Sequence, residues 1–265
     1  MAGKLDGKVA VITGASKGIG EGIARVYADY GAKCVLAARG EKVLELAKEM
    51  ENNGFEAIGI QTDVSDYTSV EQLVKVAEES YGGIDVLVCC AGICILEDFL
   101  EDETFKNRDM HIDINVKGVW NAVRAVLPSM EKRGGGSIVV MSSVTGDMVA
   151  DPGEVAYATS KAALIGFTKA MAREEAGKNI RINAICPGYV RTPMVEGMAA
   201  QSDEEDPERA IQKIADAVPL GRLADPREIG ELAAFLGSSE SSYITGTQIV
   251  IDGGSTLPET TSMGQ

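Results

Sequence analysis

Seven short apolar runs rich in β-branched residues alternate along this chain with amphipathic segments of helical length, and no other feature constrains the fold as strongly. The runs are "KVAVIT" (8–13), "KCVLAA" (33–38), "EAIGIQTD" (56–63), "DVLVCC" (85–90), "GSIVVMSS" (136–143), "IRINAICP" (180–187) and "TQIVIDGG" (247–254). Strands covered by helices on both faces lose the apolar/polar alternation of half-exposed strands and read as nearly continuous apolar stretches. Between them, periodic segments near 18–31, 41–53, 68–81, 102–132, 155–177 and 225–238 predict helices. The alternation predicts an α/β fold with a doubly wound parallel sheet. No internal repeat, low-complexity tract or shift in composition marks a second domain, so residues 1–265 are expected to form a single domain. The acidic stretch "EGMAAQSDEEDPERAIQKIADAVPL" (196–220) breaks the alternation and is expected to overhang the carboxyl ends of the strands, where such sheets bind ligands.

Charge narrows the partners. Lys and Arg total 25 against 40 Asp and Glu, a net charge of −15, which disfavours nucleic acid and anionic membranes. No run of about 18 apolar residues is present and "MAGKLDGK" lacks a signal-peptide pattern, so the expected location is the cytoplasm. The five cysteines (Cys34, Cys89, Cys90, Cys94, Cys186) lack metal-ligand spacing and His111 is the sole histidine. No metal is expected, and the cysteines read as buried thiols in a reducing compartment.

The first apolar run leads straight into "TGASKGIGEGIA", with Gly14, Gly18 and Gly20 at the turn and a helical pattern behind them. Glycines let the backbone approach a pyrophosphate, and a helix N-terminus offers unpaired N–H groups and the positive end of its dipole. In this strand–turn–helix context the glycines predict a dinucleotide site on a Rossmann-type sheet. A second cluster lies in "SSVTGDMVADPGEVAYATSK" (142–161), where Tyr157 and Lys161 stand four residues apart. On a helix that spacing puts ammonium and phenol on one face. A nearby cation lowers a phenol pKa that is ordinarily about 10, which would make Tyr157 a usable acid or base.

In order, "TGASKGIG", "CCAG", Asn115, "SS…YATSK" and "PGYVRT" resemble the short-chain dehydrogenase/reductase family, from Lys8 to the C-terminal "TGTQIVIDGG". The segments "HIDINVKGVWN", "MSSVTGDMVADPGE", "ICPGYVRTPM" and "IDGGSTLPET" bring the resemblance closest to bacterial oxidoreductases within it. The resemblance implies that Tyr157 exchanges a proton with the substrate oxygen, that Lys161 lowers its pKa and bonds the nicotinamide ribose, that Ser143 holds the reacting oxygen, and that Asn115 anchors a water linked to Lys161. Ser142 is read as a strand-end residue with a structural hydrogen bond. The interval from Ser143 to Tyr157 is one residue longer than in many members, and the difference falls in the loop between them.

By the same resemblance the cofactor contacts are Gly14, Ser16, Lys17, Gly18, Ile19 and Gly20 in the first turn, Asp63 and Val64 after the third strand, Ala91 and Gly92 after the fourth, and Pro187, Gly188, Val190 and Thr192 after the sixth, with Asn115, Tyr157 and Lys161. NAD-preferring relatives carry an acidic residue at the end of the second strand; here Ala38 stands there, followed by Arg39. With Lys17 this predicts NADP(H), since a 2′-phosphate is held by charge-assisted hydrogen bonds. "CCAG" replaces the family's "NNAG", which predicts altered packing and thiol sensitivity without loss of hydride transfer. His111 reads as a satisfied structural histidine, and Trp120 as a residue of the subunit interface or the core.

The implied function is interconversion of a secondary alcohol and a ketone, in a homotetramer with a mobile substrate lid over approximately 189–220. Met148, Val149, Met194, Val195 and Met198 predict a bulky apolar substrate, a hydroxysteroid first, with Arg191 or Arg222 meeting an acidic tail. A 3-oxoacyl thioester, a sugar alcohol or a small aldehyde are the enzymatic alternatives, and a nucleotide-sensing binding protein the non-enzymatic one.

Overall fold

The computed structural model describes residues 3–202 and 205–257. Its seven strands, β1 (Val9–Thr13), β2 (Lys33–Ala38), β3 (Ala57–Gln61), β4 (Val86–Cys89), β5 (Gly136–Met141), β6 (Ile180–Pro187) and β7 (Gln248–Ile251), form one parallel sheet in the order β3-β2-β1-β4-β5-β6-β7. Each strand lies within an apolar run of the sequence, trimmed by a few residues where the chain turns away.

Alternate residues of the strands feed two separate cores, because successive side chains point to opposite faces. Ala10, Ile12, Cys34, Leu36, Val86 and Val88 pack under α1 (Gly18–Asp29), α2 (Lys42–Asn52) and α9 (Pro226–Gly237). Val9, Val11, Val35, Ala37, Leu87 and Cys89 pack under α3 (Tyr67–Tyr81), α5 (Gly118–Arg133) and α6 (Val155–Glu175). Burial of both faces explains the runs from which the sheet was expected.

The segment 102–132, expected as one helix, is interrupted. A short α4 (Lys106–His111) passes through a π-helical turn, Ile112–Lys117, into α5. A π-turn inserts one extra residue per turn, and here it contains the fully buried Asn115. The break in the alternation near 196–220 becomes α7 (Pro193–Ser202) and α8 (Pro207–Ala217), which share a small core of Ala199, Ile211, Ala215 and Leu223. Asp206 caps α8 by accepting from the Arg209 N–H at 3.1 Å; within "SDEEDPER", Asp203 and Glu204 lie outside the described residues. Among the described residues no helix is long and apolar enough to cross a membrane.

Helices α1 and α9 pack almost backbone to backbone. A Cβ on Gly22 would lie 2.6 Å from the Cβ of Pro226, so only glycine permits the approach. Pro226 is set by a capping box in which Asp225 and Glu228 each bond the other's backbone, while Arg222 clamps Glu228 at 2.7 and 2.8 Å. These bonds depress the Glu228 carboxyl to about 2. A carboxyl with a lowered folded-state pKa contributes stability above its unfolded value, and loses it as pH falls toward the folded value. Glu228→Gln should therefore cost about 1 kcal/mol near neutrality, the exposed ion pair being discounted for solvent screening. That cost should shrink below about pH 4.5 and vanish near pH 2, as read from urea midpoints across pH.

Candidate active site

Strand order reverses beside β1, whose neighbours β2 and β4 lead their following helices to opposite faces of the sheet. The carboxyl ends therefore part, and a crevice opens where ligands of such sheets bind. Thr13, the last residue of β1, bridges the parting: its hydroxyl donates to the Val88 carbonyl at 3.3 Å and accepts from the N–H groups of Cys90 and Ala91 at 3.1 and 3.2 Å. Backbone groups thus tie down the turn after β4 where "CCAG" offers no side-chain amide. Gly14 follows with φ +69°, and a Cβ there would fall 2.7 Å from the backbone of Ala91, so the turn closes only around glycine.

A cavity of about 630 Å³ fills the crevice. One end is walled by Gly14, Ser16, Lys17, Gly18, Ile19 and Gly20, by Arg39, and by Asp63 and Val64. Ala91 and Gly92 from β4, and Pro187, Gly188, Val190 and Thr192 after β6, also line it, as do Ser143, Tyr157 and Lys161 at the other end. Every residue the sequence singled out as catalytic or cofactor-binding is on this wall except Asn115.

Asn115 stands behind the wall. Its Nδ2 donates to the Ile93 carbonyl at 2.9 Å and to Ser160 Oγ at 3.0 Å, and its Oδ1 accepts from the Ile93 N–H at 2.9 Å. The π-turn aims this amide at the segment carrying Gly92. His111, one turn earlier, is buried with both ring nitrogens engaged, Nδ1 with the Asn107 carbonyl at 2.8 Å and Nε2 with the Ile95 N–H at 3.3 Å. Its ring meets that of Tyr157 edge-on at 6.2 Å.

The two serines divide as their contacts dictate. Ser142 Oγ donates to the Lys161 carbonyl at 2.8 Å and holds α6 to the end of β5. Ser143 Oγ accepts from the Thr145 N–H at 3.1 Å and works against the upward shift of the Tyr157 phenol. Lys161 Nζ donates to the Met141 carbonyl at 2.9 Å and lies 5.6 Å from the centre of the Tyr157 ring. The expectation that this ammonium lowers the phenol pKa does not describe the site as it stands. Burial dominates and pushes Tyr157 up, opposed by the Ser143 hydrogen bond; burial also pulls Lys161 below its ordinary value. In a low-dielectric pocket desolvation disfavours whichever form is charged.

At the second-strand edge, Arg39 and Lys17 are exposed at the rim, and among the described residues neither forms an ion pair. A carboxylate does face Arg39: Asp63 is lowered chiefly by the Ser65 hydroxyl, with a smaller contribution from Arg39. The glycine turn and the unpaired cations match a dinucleotide phosphate in shape and charge. Over the other end Met194, Val195, Met198 and Val149 line the cavity; Met148 does not. Arg191 and Arg222 are not available for an acidic tail, being paired with Glu208 and Glu228 at 2.5 and 2.7 Å and absent from the wall. Cys90 and Cys94, expected as buried thiols, are only partly covered and line the cavity. Burial lifts both to about 11, which leaves little thiolate at neutrality and argues against the expected thiol sensitivity.

Among the wall residues that sequence reasoning did not single out are Cys94, Asp151, Glu154, Tyr189 and Ser255. Glu154 had a legible signal, three residues ahead of Tyr157 and so on the same helical face. Ser255 had none, because it reaches the wall through a turn in which Asp252 accepts from Gly254, Ser255 and Thr256.

A family model described as Enoyl-(Acyl carrier protein) reductase, adh_short_C2, matches residues 14–256. Oxidoreductase UcpA of Salmonella typhimurium is 60% identical over 262 residues, 99% of each chain. The 3-oxoacyl-[acyl-carrier-protein] reductase FabG of Thermotoga maritima is 40% identical over 95% of this chain and 98% of its own. Among solved structures, a short-chain type dehydrogenase/reductase from Mycobacterium marinum superposes with a TM-score of 0.88 at 38% identity, covering 96% and 97% of the two chains. L-Sorbose reductase from Gluconobacter frateurii, complexed with NADPH and L-sorbose, superposes with a TM-score of 0.91 at 33% identity, covering 98% and 100%.

Asn115→Ala would remove the partner of the partly buried Ile93 N–H and carbonyl. We expect a loss of about 1–3 kcal/mol, the cost of unpairing two partly buried backbone groups, measured as a shift in the denaturant midpoint.

Proposed function

Because the chain belongs to the short-chain dehydrogenase/reductase family, its nicotinamide-dependent oxidoreductase activity is the premise from which we propose that it interconverts a secondary alcohol and a ketone with NADP(H). The observation that carries this reading is the placement of Ser143, Tyr157 and Lys161 on one wall of the cavity whose opposite end is the glycine turn with Lys17 and Arg39. When bound, the nicotinamide supplies or accepts the hydride. A carbonyl that gains hydride becomes an alkoxide, which needs a positioned donor. Tyr157 gives that oxygen its proton and takes it back in the reverse direction; the phenol's raised pKa keeps it protonated at neutrality. Ser143 holds the same oxygen. Lys161 stabilises the phenolate that remains, an ammonium nearby offsetting part of the cost of a buried anion. Asn115 acts from behind, fixing the turn after β4 and, as the resemblance implies, a water linked to Lys161. Ser16, Ile19, Val64, Ala91, Gly92, Pro187, Gly188, Val190 and Thr192 shape the cofactor half. Retention of both Tyr157 and Lys161 favours an enzyme over a nucleotide-sensing protein.

The preference for NADP(H) rests on Arg39 and Lys17, and the relative crystallised with NADPH supports it. The apolar lining by Val149, Met194, Val195 and Met198 favours a bulky apolar substrate, with hydroxysteroids as the leading candidate. A 3-oxoacyl thioester is the second reading, favoured by the 40% identity to a 3-oxoacyl reductase. The region 189–220, built from α7 and α8 on their own small core, is proposed to act as a lid over a single-domain body. A homotetramer fits the uncovered apolar groups on α5 and α6, where Trp120 is 55% exposed and meets Phe167 at 5.3 Å.

Tyr157→Phe should abolish NADPH-dependent ketone reduction while fluorescence titration still reports cofactor binding; a normal rate in this variant would remove Tyr157 from the chemistry. Steroid ketones, small aldehydes, polyols and 3-oxoacyl thioesters compared by kcat/KM should place steroid ketones first, and a thioester lead would favour the second reading. Arg39→Ala should weaken NADPH by about 10- to 100-fold, the worth of a charge-assisted hydrogen bond, and leave NADH nearly unchanged. Equal losses for both would overturn the cofactor assignment.

A further inference from the structure

Two carboxylates at the substrate end of the cavity have no part in the chemistry above. Asp151 and Glu154 line it together with Tyr157. Glu154 precedes Tyr157 by three residues, at the N-terminal boundary of α6, which places both on one helical face. The turn carrying the carboxylates is fixed against the segment after β4: the Glu97 N–H donates to the Gly153 carbonyl at 3.0 Å, and the Asp151 N–H to Glu154 Oε2 at 3.4 Å. Half-buried, Glu154 is pushed above its ordinary value chiefly by burial, with the Asp151 charge adding to it, against lowering hydrogen bonds from the Asp151 N–H and from Thr145. Tyr157, Cys94 and Tyr189 each sense its charge.

Nothing nearby neutralises these charges. Among the described residues neither carboxylate forms an ion pair. The cations of the wall are Lys17 and Arg39 at the glycine-turn end and Lys161, which is buried with its Nζ on the Met141 carbonyl. Arg191 and Arg222 are paired elsewhere. Ile93, Cys94, Val149 and Met194 add apolar surface beside them, and apolar walls strengthen the field that reaches a bound substrate.

We propose that Glu154, with Asp151, sets the charge selectivity of the substrate site, which admits neutral and cationic ketones or secondary alcohols and rejects anionic ones. The inference rests on the oxidoreductase reading above and sharpens it: neutral steroid ketones remain substrates, whereas steroids with a carboxylate tail and other keto acids are disfavoured. At roughly 8 Å and an effective dielectric constant of about 20, one such charge discriminates by about 30-fold unscreened and by several-fold when fully screened by salt, which brackets a tenfold effect.

The test is NADPH oxidation with a matched series: one aryl ketone, its analogue bearing a carboxylate and its analogue bearing a trimethylammonium group, with wild type, Glu154→Gln and Asp151→Asn. The wild type should show an anion/neutral ratio of kcat/KM of about 0.1 or less, and Glu154→Gln should raise it by about tenfold while lowering the cation/neutral ratio. Asp151→Asn should act in the same direction. Each ratio is internal to one variant, so partial unfolding cancels. A wild-type anion/neutral ratio near unity, or ratios unmoved by Glu154→Gln, overturns the charge selection while leaving the oxidoreductase reading in place. Turnover of none of the three ketones overturns that reading, and this inference with it.

Discussion

The reversal of strand order at β1 is the constraint on which the site depends. With β2 on one side and β4 on the other, the chain must leave the sheet in two directions, and a parallel sheet points every departing strand end the same way. The crevice is therefore a product of topology before any side chain is chosen. It still has to be held at a fixed width. Thr13 does this through one hydroxyl that reaches the last turn of β4, and Gly14 brings the two backbones within a distance that no Cβ would tolerate. A polar atom at the end of an otherwise apolar strand is thus accounted for by its partners.

Burial governs the chemistry available inside. Tyr157 is held protonated and Lys161 is pulled down by the same desolvation, so the resting site favours the neutral phenol and penalises the ammonium. An ammonium at Lys161 carries a desolvation cost that the Met141 carbonyl offsets only in part. Such a penalty is characteristic of groups kept for function. It also orders the site: exposed cations at the glycine turn, and the buried Lys161 with the carboxylates of Asp151 and Glu154 toward the other end. On a chain of net charge −15 this gradient is a local property that the overall charge does not reveal.

The supporting structure serves the same end by different means. The π-turn at Ile112–Lys117 turns Asn115 inward, so that a single amide satisfies both the N–H and the carbonyl of Ile93. The capping box at α9 fixes the helix that packs on α1 through Gly22, and α1 carries the glycine turn at its N-terminus. Errors in either support would displace backbone at the wall of the cavity without touching a reacting group.

Local rules made much of this legible in the sequence. Apolar runs predicted all seven strands, most directly the five inner ones whose two faces are both buried, and the glycine turn and the Tyr157–Lys161 spacing predicted two walls of the cavity because both are short-range patterns. Other features belong to distances that sequence does not encode locally. The π-turn escaped a helical periodicity that continues on either side of it. The salt bridges of Arg191 and Arg222 depend on which acidic residues α8 and α9 bring near. The direction of the Tyr157 pKa was decided by how deeply the ring is enclosed, since the desolvation of a charge depends on everything around it and a spacing of four residues carries no information about that enclosure.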